Sequence, residues 1–204
     1  MHKETVWQSC IVHSCAKRRK TGRFTFKYGF SKLSNWKYVE LKAALLVVDV
    51  QNDFFNISKV CSDSSKSAIE YVNAAIGLFR KRGLPVVIVQ HRNEKDGLVP
   101  GNPGFEVSDS VKVELGDLRI LKTYGNSFNK TGLAAKLAEL GVDTVIITGF
   151  CAEECVLSTY MGAEDLDIKP IILRGSLASH TPGHIKFVEE ITDTITFGAL
   201  KTLL

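Results

Sequence analysis

Short apolar runs alternate along the chain with longer stretches in which apolar residues recur at helical spacing. Runs such as 44–48 contain hardly any polar positions, which is typical of strands buried on both faces of a sheet. The predicted strands are 44–48, 85–89, 119–122, 143–149, 168–173 and 195–197.

The stretches between these strands predict helices. They lie at 62–82, 129–140 and 153–165, with a further helix beginning at 181–182. Ser62 or Asp63 can cap the first helix and Gly83 can end it, while Pro182 suits a first helical position. Strands that alternate with helices predict right-handed crossovers and a parallel sheet covered on both faces. The expected fold class is therefore α/β, a three-layer doubly wound domain with a parallel sheet of about six strands.

Two regions of the chain break this alternation. Residues 92–117 are rich in Gly, Pro and charge, and predict a long surface loop of the kind that is functional or mobile. Residues 1–40 hold nine Lys and Arg and only two Glu, including the basic run 17–20. We therefore expect a basic extension over 1–40, either disordered or present only through a start codon assigned too early, and a single folded domain over 41–204.

The extension allows two other interpretations: a contact for a partner, membrane or polyanion, and a targeting segment. Residues 41–204 hold 17 Lys and Arg against 20 Asp and Glu, so the domain itself is mildly acidic. We therefore expect no nucleic acid partner. No run approaches the about 18 consecutive apolar residues of a membrane span, so no membrane partner is expected either.

The number and spacing of the cysteines indicate the cellular compartment. There are five of them, an odd number at irregular spacings, and no secretory signal is expected before them. Reduced thiols and a cytoplasmic location are expected. The spacings of Cys10 with Cys15 and of Cys151 with Cys155 do not fit the usual zinc pattern, so these pairs are not expected to bind a metal together.

Reactive residues follow three of the predicted strands. Asp49 comes directly after the first, Lys122 ends the third, and the fourth leads into a turn with Cys155 near a helix start. The carboxyl ends of parallel strands meet at one edge of a sheet, so these side chains are expected to converge. Taken singly, each has a structural explanation: a buried apolar thiol, a turn residue and a surface charge.

Together the three residue types predict nucleophilic catalysis. A helix start and a lysine ammonium both favour a thiolate, and a carboxylate can take and return the thiol proton. Backbone N–H groups of the turn can hold an oxyanion, which allows acyl transfer through a thioester followed by hydrolysis. Glu153 and Glu154 are interpreted as charges that favour the helix start.

Three segments carry a resemblance to a known family. Residues 46–54, 122–128 and 148–156 resemble the opening strand, the lysine segment and the nucleophile segment of the isochorismatase-like cysteine hydrolases, a superfamily that includes nicotinamidases and small amidases. The resemblance covers roughly residues 43–197 and implies that Asp49 is the base, Lys122 its partner and Cys155 the nucleophile. It also implies an oxyanion hole formed by the N–H groups of Cys151 and Cys155, and a cis peptide bond before Cys151.

One departure from the family pattern concerns metal binding. Nicotinamidases carry an Asp-x-His metal pair after the second strand, whereas this chain reads His91-Arg92-Asn93 there. Neither a metal nor another cofactor is therefore expected. His91 is either a substrate contact or a structural histidine. Substrate contacts are expected from His91, Phe54, Tyr124 and Phe128.

The expected function is cysteine-dependent hydrolysis of a small-molecule amide or ureido C–N bond, in a protein that forms a homo-oligomer as the family often does. Vinyl-ether (isochorismatase) and nicotinamidase activities are alternatives within the family. A further alternative is a non-catalytic binding or redox module on the same fold, with Cys151 and Cys155 joined in a disulfide.

Overall fold

The computed structural model describes residues 41–204. The expectations for residues 1–40 lie outside this part of the chain. The division into an extension and a domain that begins at residue 41 stays a prediction. No helix in the described part is both long and apolar enough to cross a membrane.

The centre of the structure is one parallel sheet. Its strands are β1 (Ala43–Val48), β2 (Val86–His91), β3 (Leu118–Lys122), β4 (Thr144–Gly149), β5 (Lys169–Leu177) and β6 (Thr194–Ile195). They lie in the order β3-β2-β1-β4-β5-β6, and every neighbouring pair is parallel. The expected α/β fold with six parallel strands is confirmed.

Helices cover both faces of this sheet. They are α1 (Asn52–Phe55), α2 (Lys59–Lys81), α3 (Leu133–Glu139), α4 (Leu157–Glu164), α5 (Gly183–Ile191) and α6 (Phe197–Leu203). A π-helical turn, Ala152–Val156, precedes α4. Alternate residues of β1 divide between two cores: Leu45 packs with α2 and α6, whereas Leu46 packs with α3, α4 and α5. Side chains of a strand point alternately to its two faces, so one apolar run fills both cores.

Some predicted helix boundaries were wrong, and local contacts explain the differences. The long helix α2 begins at Lys59 because the Ser58 hydroxyl accepts the Cys61 N–H at 3.1 Å, so neither Ser62 nor Asp63 is its cap. The helix predicted from residue 129 begins only at Leu133, because Lys130 adopts a left-handed conformation with φ of 55°. The short helices α1 and α6 were not predicted.

The long connection after β2 is held against the rest of the domain. Arg80 on α2 binds Glu114 at 2.9 Å and Asp117 at 2.5 Å. At the other end, the Gln51 side-chain amide donates to the carbonyls of His91 and Phe105 at 3.0 and 2.8 Å. These contacts fix the loop beside the carboxyl ends of β1 and β2.

Candidate active site

Three segments bring reactive side chains to the carboxyl edge of the sheet. Asp49 follows β1 in a left-handed conformation with φ of 52°, Lys122 is the last residue of β3, and Cys155 lies in the π-helical turn after β4. Strand β2 separates β3 from β1, so the lysine side chain reaches across the end of β2. The structure therefore brings together the three residues that the sequence singled out.

The lysine ammonium is the centre of this group. Lys122 Nζ lies 2.6 Å from Asp49 Oδ2, and the two side chains are 0% and 1% exposed. The same nitrogen lies 3.2 Å from Cys155 Sγ and donates to the Tyr124 carbonyl at 3.2 Å. A buried ion pair with a thiol in contact is a reactive arrangement, because neither charge is screened by water.

His91 ends β2 and lies next to the lysine. Its Nδ1 is 3.2 Å from Lys122 Nζ. A lysine ammonium has only donors, so Nδ1 acts as the acceptor and the imidazole carries its proton on Nε2. Burial lowers the pKa of His91, and the positive charge of Lys122 lowers it further. His91 is thus a neutral hydrogen-bond donor at the edge of the site.

Burial opposes the Cys155 thiolate that the sequence predicted. Burial raises the pKa of the Cys155 thiol to about 12, aided by the negative charge of Asp49 and by a hydrogen bond with its carboxylate. Lys122 opposes this shift but does not cancel it. Burial likewise raises the pKa of Asp49, against the lowering effect of Lys122. Cys155 is therefore a thiol that needs a base, because burial and the neighbouring Asp49 carboxylate together outweigh the lysine.

The turn that carries Cys155 contains a backbone donor without an acceptor. The peptide bond between Phe150 and Cys151 is cis, as the resemblance implied. Within residues 41–204, the Cys151 N–H donates to no acceptor. Cys155 is itself part of the π-helical turn Ala152–Val156. An unpaired N–H group four residues before a nucleophile can bind a developing oxyanion.

Aromatic side chains stand next to the reactive group. Phe54 stacks on Phe150 with ring centroids 5.3 Å apart, and its ring lies edge-on to His91 at 6.5 Å. Tyr124 is 41% exposed and accepts a hydrogen bond from Lys130 at 2.9 Å. Phe128 is only 8% exposed and belongs to the core against which Cys155 packs. Substrate contact by these residues stays a prediction, and Phe128 already has a structural role in the core.

Among residues 41–204, two groups of side chains have donor atoms close enough to hold a metal ion. In the first, the donors of Asp49, His91 and Cys155 lie within 4.8 Å of one another. The Lys122 ammonium contacts all three, so it already occupies the place that a cation would take. The second group, Cys151, Glu154 and His180, contains no such ammonium.

Two residues near the site gained roles that the sequence reasoning missed. The Gln51 side chain holds His91 from both sides, since its amide nitrogen donates to the His91 carbonyl and its oxygen accepts the His91 N–H at 2.7 Å. Glu153 is not simply a helix-start charge, because its side chain is 15% exposed and accepts a hydrogen bond from Ser179 at 2.8 Å. Neither contact follows from spacing, because each joins segments far apart in the chain.

The fold and the site define a class of protein: a parallel α/β domain with a cysteine, a lysine and an aspartate at one sheet edge. A family model described as the isochorismatase domain matches residues 43–191. The isochorismatase family protein YddQ of Bacillus subtilis is 32% identical over 126 residues, covering 60% of this chain and 70% of that protein. The chain therefore belongs to the isochorismatase family of hydrolases, which confirms the resemblance seen in the sequence.

Two further relatives bear on the question of activity. An Arabidopsis thaliana protein named a probable inactive nicotinamidase is 28% identical over 160 residues, covering 68% of this chain and 82% of that protein. The crystal structure of an N-carbamoylsarcosine amidase from Thermoplasma acidophilum matches with a TM-score of 0.66 at 26% identity, covering 76% of this chain and 95% of that one. The family thus includes a named amidase and a relative named inactive.

Proposed function

We propose that this protein is a cysteine hydrolase that cleaves a small-molecule amide or ureido C–N bond through a thioester on Cys155. The observation that carries the proposal is the contact of the Cys155 thiol with the buried Lys122–Asp49 ion pair, at 3.2 Å from Lys122 Nζ. Such a pair supplies a base and a fixed positive charge beside a nucleophile.

The first half of the reaction forms the thioester. The Asp49 carboxylate accepts the Cys155 thiol proton as the sulfur attacks the substrate carbonyl carbon. The carbonyl oxygen becomes an oxyanion that the N–H groups of Cys151 and Cys155 bind. When the C–N bond breaks, the proton on Asp49 passes to the leaving nitrogen, which departs as a neutral amine.

The second half restores the enzyme. Asp49, again a carboxylate, takes a proton from a water molecule that attacks the thioester carbonyl carbon. The C–S bond breaks, the proton returns to the sulfur, and the acid product leaves. Lys122 keeps its positive charge throughout the reaction. This charge holds the Asp49 carboxylate in place and stabilises the negative charge as it moves between the Asp49 oxygen and the Cys155 sulfur.

The surroundings of Cys155 favour a small planar substrate. The stacked rings of Phe54 and Phe150 provide an apolar wall, and His91 presents a neutral donor on Nε2. A carbonyl between two N–H donors suits amides and ureido groups alike. The N-carbamoylsarcosine amidase among the structural relatives supports this choice of bond.

The test is a substrate panel read out by ammonia release for the nitrogen compounds and by formation of the carbonyl product for the vinyl ether. Primary amides, N-carbamoyl amino acids, nicotinamide and a vinyl ether are incubated with the wild-type protein and with Cys155→Ala. We expect one or more amides or ureido compounds to be hydrolysed, a loss of about 10³-fold or more in Cys155→Ala, and a Cys155-linked acyl adduct in the intact mass of the wild type. Cys10→Ala is the matched control, because Cys10 lies outside the residues 43–191 that match the family, and it should retain turnover.

The relative named inactive makes a non-catalytic binding module the second candidate. The same substrate panel distinguishes the hydrolase from the binding module. If no compound is turned over and no adduct forms, the binding module is favoured. Turnover that persists in Cys155→Ala would rule out the proposed mechanism even if the protein is an enzyme. Cleavage of the vinyl ether alone would assign the isochorismatase reaction.

Three other expectations belong to this proposal. The catalytic unit is taken to be the domain over residues 41–204, acting in the cytoplasm on a small molecule. It is also taken to form a homo-oligomer. A truncated protein that begins at residue 41 tests both expectations. Its activity on the same substrate panel tests whether residues 41–204 suffice for catalysis, and light scattering measures its oligomeric state.

A further inference from the structure

A second cluster of reactive side chains lies between the nucleophile turn and the residues that follow β5. Cys151, Glu153 and Glu154 belong to the turn after β4, whereas His180 and His184 follow β5. The Cys151 thiol is 3.1 Å from Glu153 Oε2, and His184 Nδ1 is 2.8 Å from Glu153 Oε1. None of these five side chains takes part in the proton transfers proposed above.

The cluster carries two neighbouring carboxylates without a permanent positive partner. Within residues 41–204, no Lys or Arg nitrogen lies within 4.0 Å of Glu153 or Glu154, and their only basic neighbours are histidines. The Glu153 side chain is 85% buried, since only 15% of it is exposed. A carboxylate that is largely removed from water is stabilised by a cation or by hydrogen bonds to its charged form.

The donor atoms have the spacing of metal ligands. One donor atom each from Cys151, Glu154 and His180 lies within 4.8 Å of the others. His180 Nε2 is 3.6 Å from Glu154 Oε1 and 3.7 Å from Glu153 Oε1. Zinc bonds of about 2.0–2.3 Å in a tetrahedron place neighbouring ligand atoms about 3.3–3.7 Å apart. The cluster therefore needs little movement to close around one ion.

The ligand types select the kind of ion. A thiolate, an imidazole and a carboxylate together suit Zn²⁺ and related transition metals, whereas Ca²⁺ and Mg²⁺ prefer oxygen ligands throughout. We propose that Cys151, Glu154 and His180 bind one divalent transition-metal ion of the zinc type, which leaves the fourth tetrahedral position to a water molecule. Binding forms a metal–sulfur bond and releases the Cys151 thiol proton to solvent.

This site has a consequence for the neighbouring turn. Cys151 and Glu154 lie within the segment that holds Cys155, and His180 lies in the connection between β5 and α5. An ion bound to all three ties the nucleophile turn to that connection. Because an ion that binds only the folded chain stabilises it, metal binding raises the thermal unfolding temperature. The inference does not depend on hydrolytic activity.

Cobalt(II) is the probe, because a cobalt–thiolate bond gives a charge-transfer band in the near ultraviolet. The full chain is stripped with chelator under reducing conditions and titrated with Co²⁺. We expect a saturable band at one equivalent and displacement by Zn²⁺. The band should be absent in Cys151→Ser, and the affinity should fall about tenfold or more in His180→Ala and in Glu154→Gln.

Two variants keep the outcomes distinct. Cys155→Ala should retain the band, because its thiol belongs to the Lys122 site. The double variant Cys10→Ser, Cys15→Ser should retain it as well. His180 is 41% exposed in its side chain, so His180→Ala tests the site without disturbing the core. Wild type should also gain thermal stability with Zn²⁺, and His180→Ala should not.

The proposal is overturned if wild type gives no band, or if the band survives Cys151→Ser. A band lost in Cys155→Ala but kept in Cys151→Ser would place the ion with Asp49 and His91 instead. A band lost only in the Cys10→Ser, Cys15→Ser variant would place it on the N-terminal cysteines.

Discussion

At the scale of single residues, the reactivity of Cys155 depends on two opposing charges. Asp49 raises the thiol pKa and Lys122 lowers it, while burial brings it to about 12. The proposed mechanism uses this balance: the thiol keeps its proton until a substrate arrives, and the same carboxylate that stabilises the neutral thiol then accepts the proton.

Asp49→Asn should change alkylation and turnover in opposite directions. Removing the carboxylate charge leaves the thiol beside the Lys122 ammonium, so the pKa of Cys155 falls and iodoacetamide reacts at lower pH than in wild type. Turnover should be lost because no base remains. The measurement is the rate of Cys155 labelling against pH, followed by peptide mass spectrometry.

Lys122→Met is the complementary variant, and it should move Cys155 labelling to higher pH. Lys136→Met, which removes a lysine exposed on α3 and paired with Glu139, should leave the labelling profile unchanged. If Asp49→Asn and wild type are labelled with the same pH dependence, Asp49 does not control the thiol.

At the scale of elements, the junction between β4 and the nucleophile turn depends on one glycine. Gly149 has φ of 114°, and a Cβ at this position would lie 2.0 Å from the Val48 carbonyl oxygen. Only glycine allows the end of β4 to lie so close to the end of β1, where Asp49 follows.

Gly149→Ala should therefore destabilise the domain by about 2–4 kcal/mol, through backbone strain together with the clash. Urea unfolding followed by circular dichroism measures the change. Gly77→Ala is the matched control: Gly77 is an exposed glycine in α2 where an added Cβ meets nothing within 4 Å. It should stabilise the domain by about 0.5–1 kcal/mol. Equal effects of the two substitutions would contradict the role assigned to Gly149.

The sequence predicts an element well where a strand is buried on both faces. It predicts the boundary of a helix less well where a single side-chain contact or backbone conformation sets that boundary. The run 44–48 became β1 almost unchanged, because its burial is continuous. The start of α2 depends on a Ser58 hydroxyl, and the start of α3 on the left-handed Lys130. The helix predicted over 153–165 begins as a π-helical turn, a distinction that apolar spacing does not carry.

At the scale of the whole molecule, the fold buries a titratable group beside one of its cores. Cys155 packs against the core formed with α3, α4 and α5, and its pKa is raised from its ordinary value to about 12. An unfolded chain releases this proton near pH ~8.5. Between the two values the folded state holds more protons than the unfolded state, so the free energy of unfolding falls as pH rises.

Wild type should accordingly lose stability above about pH 9 more steeply than Cys155→Ala, which lacks this thiol. Urea unfolding midpoints from pH 7 to pH 10, measured with reductant and chelator present, give the comparison. Below about pH 8 the difference between the two proteins should not depend on pH. Parallel pH profiles across the whole range would show that burial does not perturb the thiol.

By itself, the sequence determined the α/β class, the order of the strands along the chain and the identity of Asp49, Lys122 and Cys155 as candidates. Apolar runs and residues at strand ends are local features, so spacing reveals them. Only the tertiary structure decided the protonation state of Cys155, the tautomer of His91 and the convergence of Cys151 with His180. These properties depend on burial and on charges from segments distant in the chain, which the fold alone brings within a few ångströms.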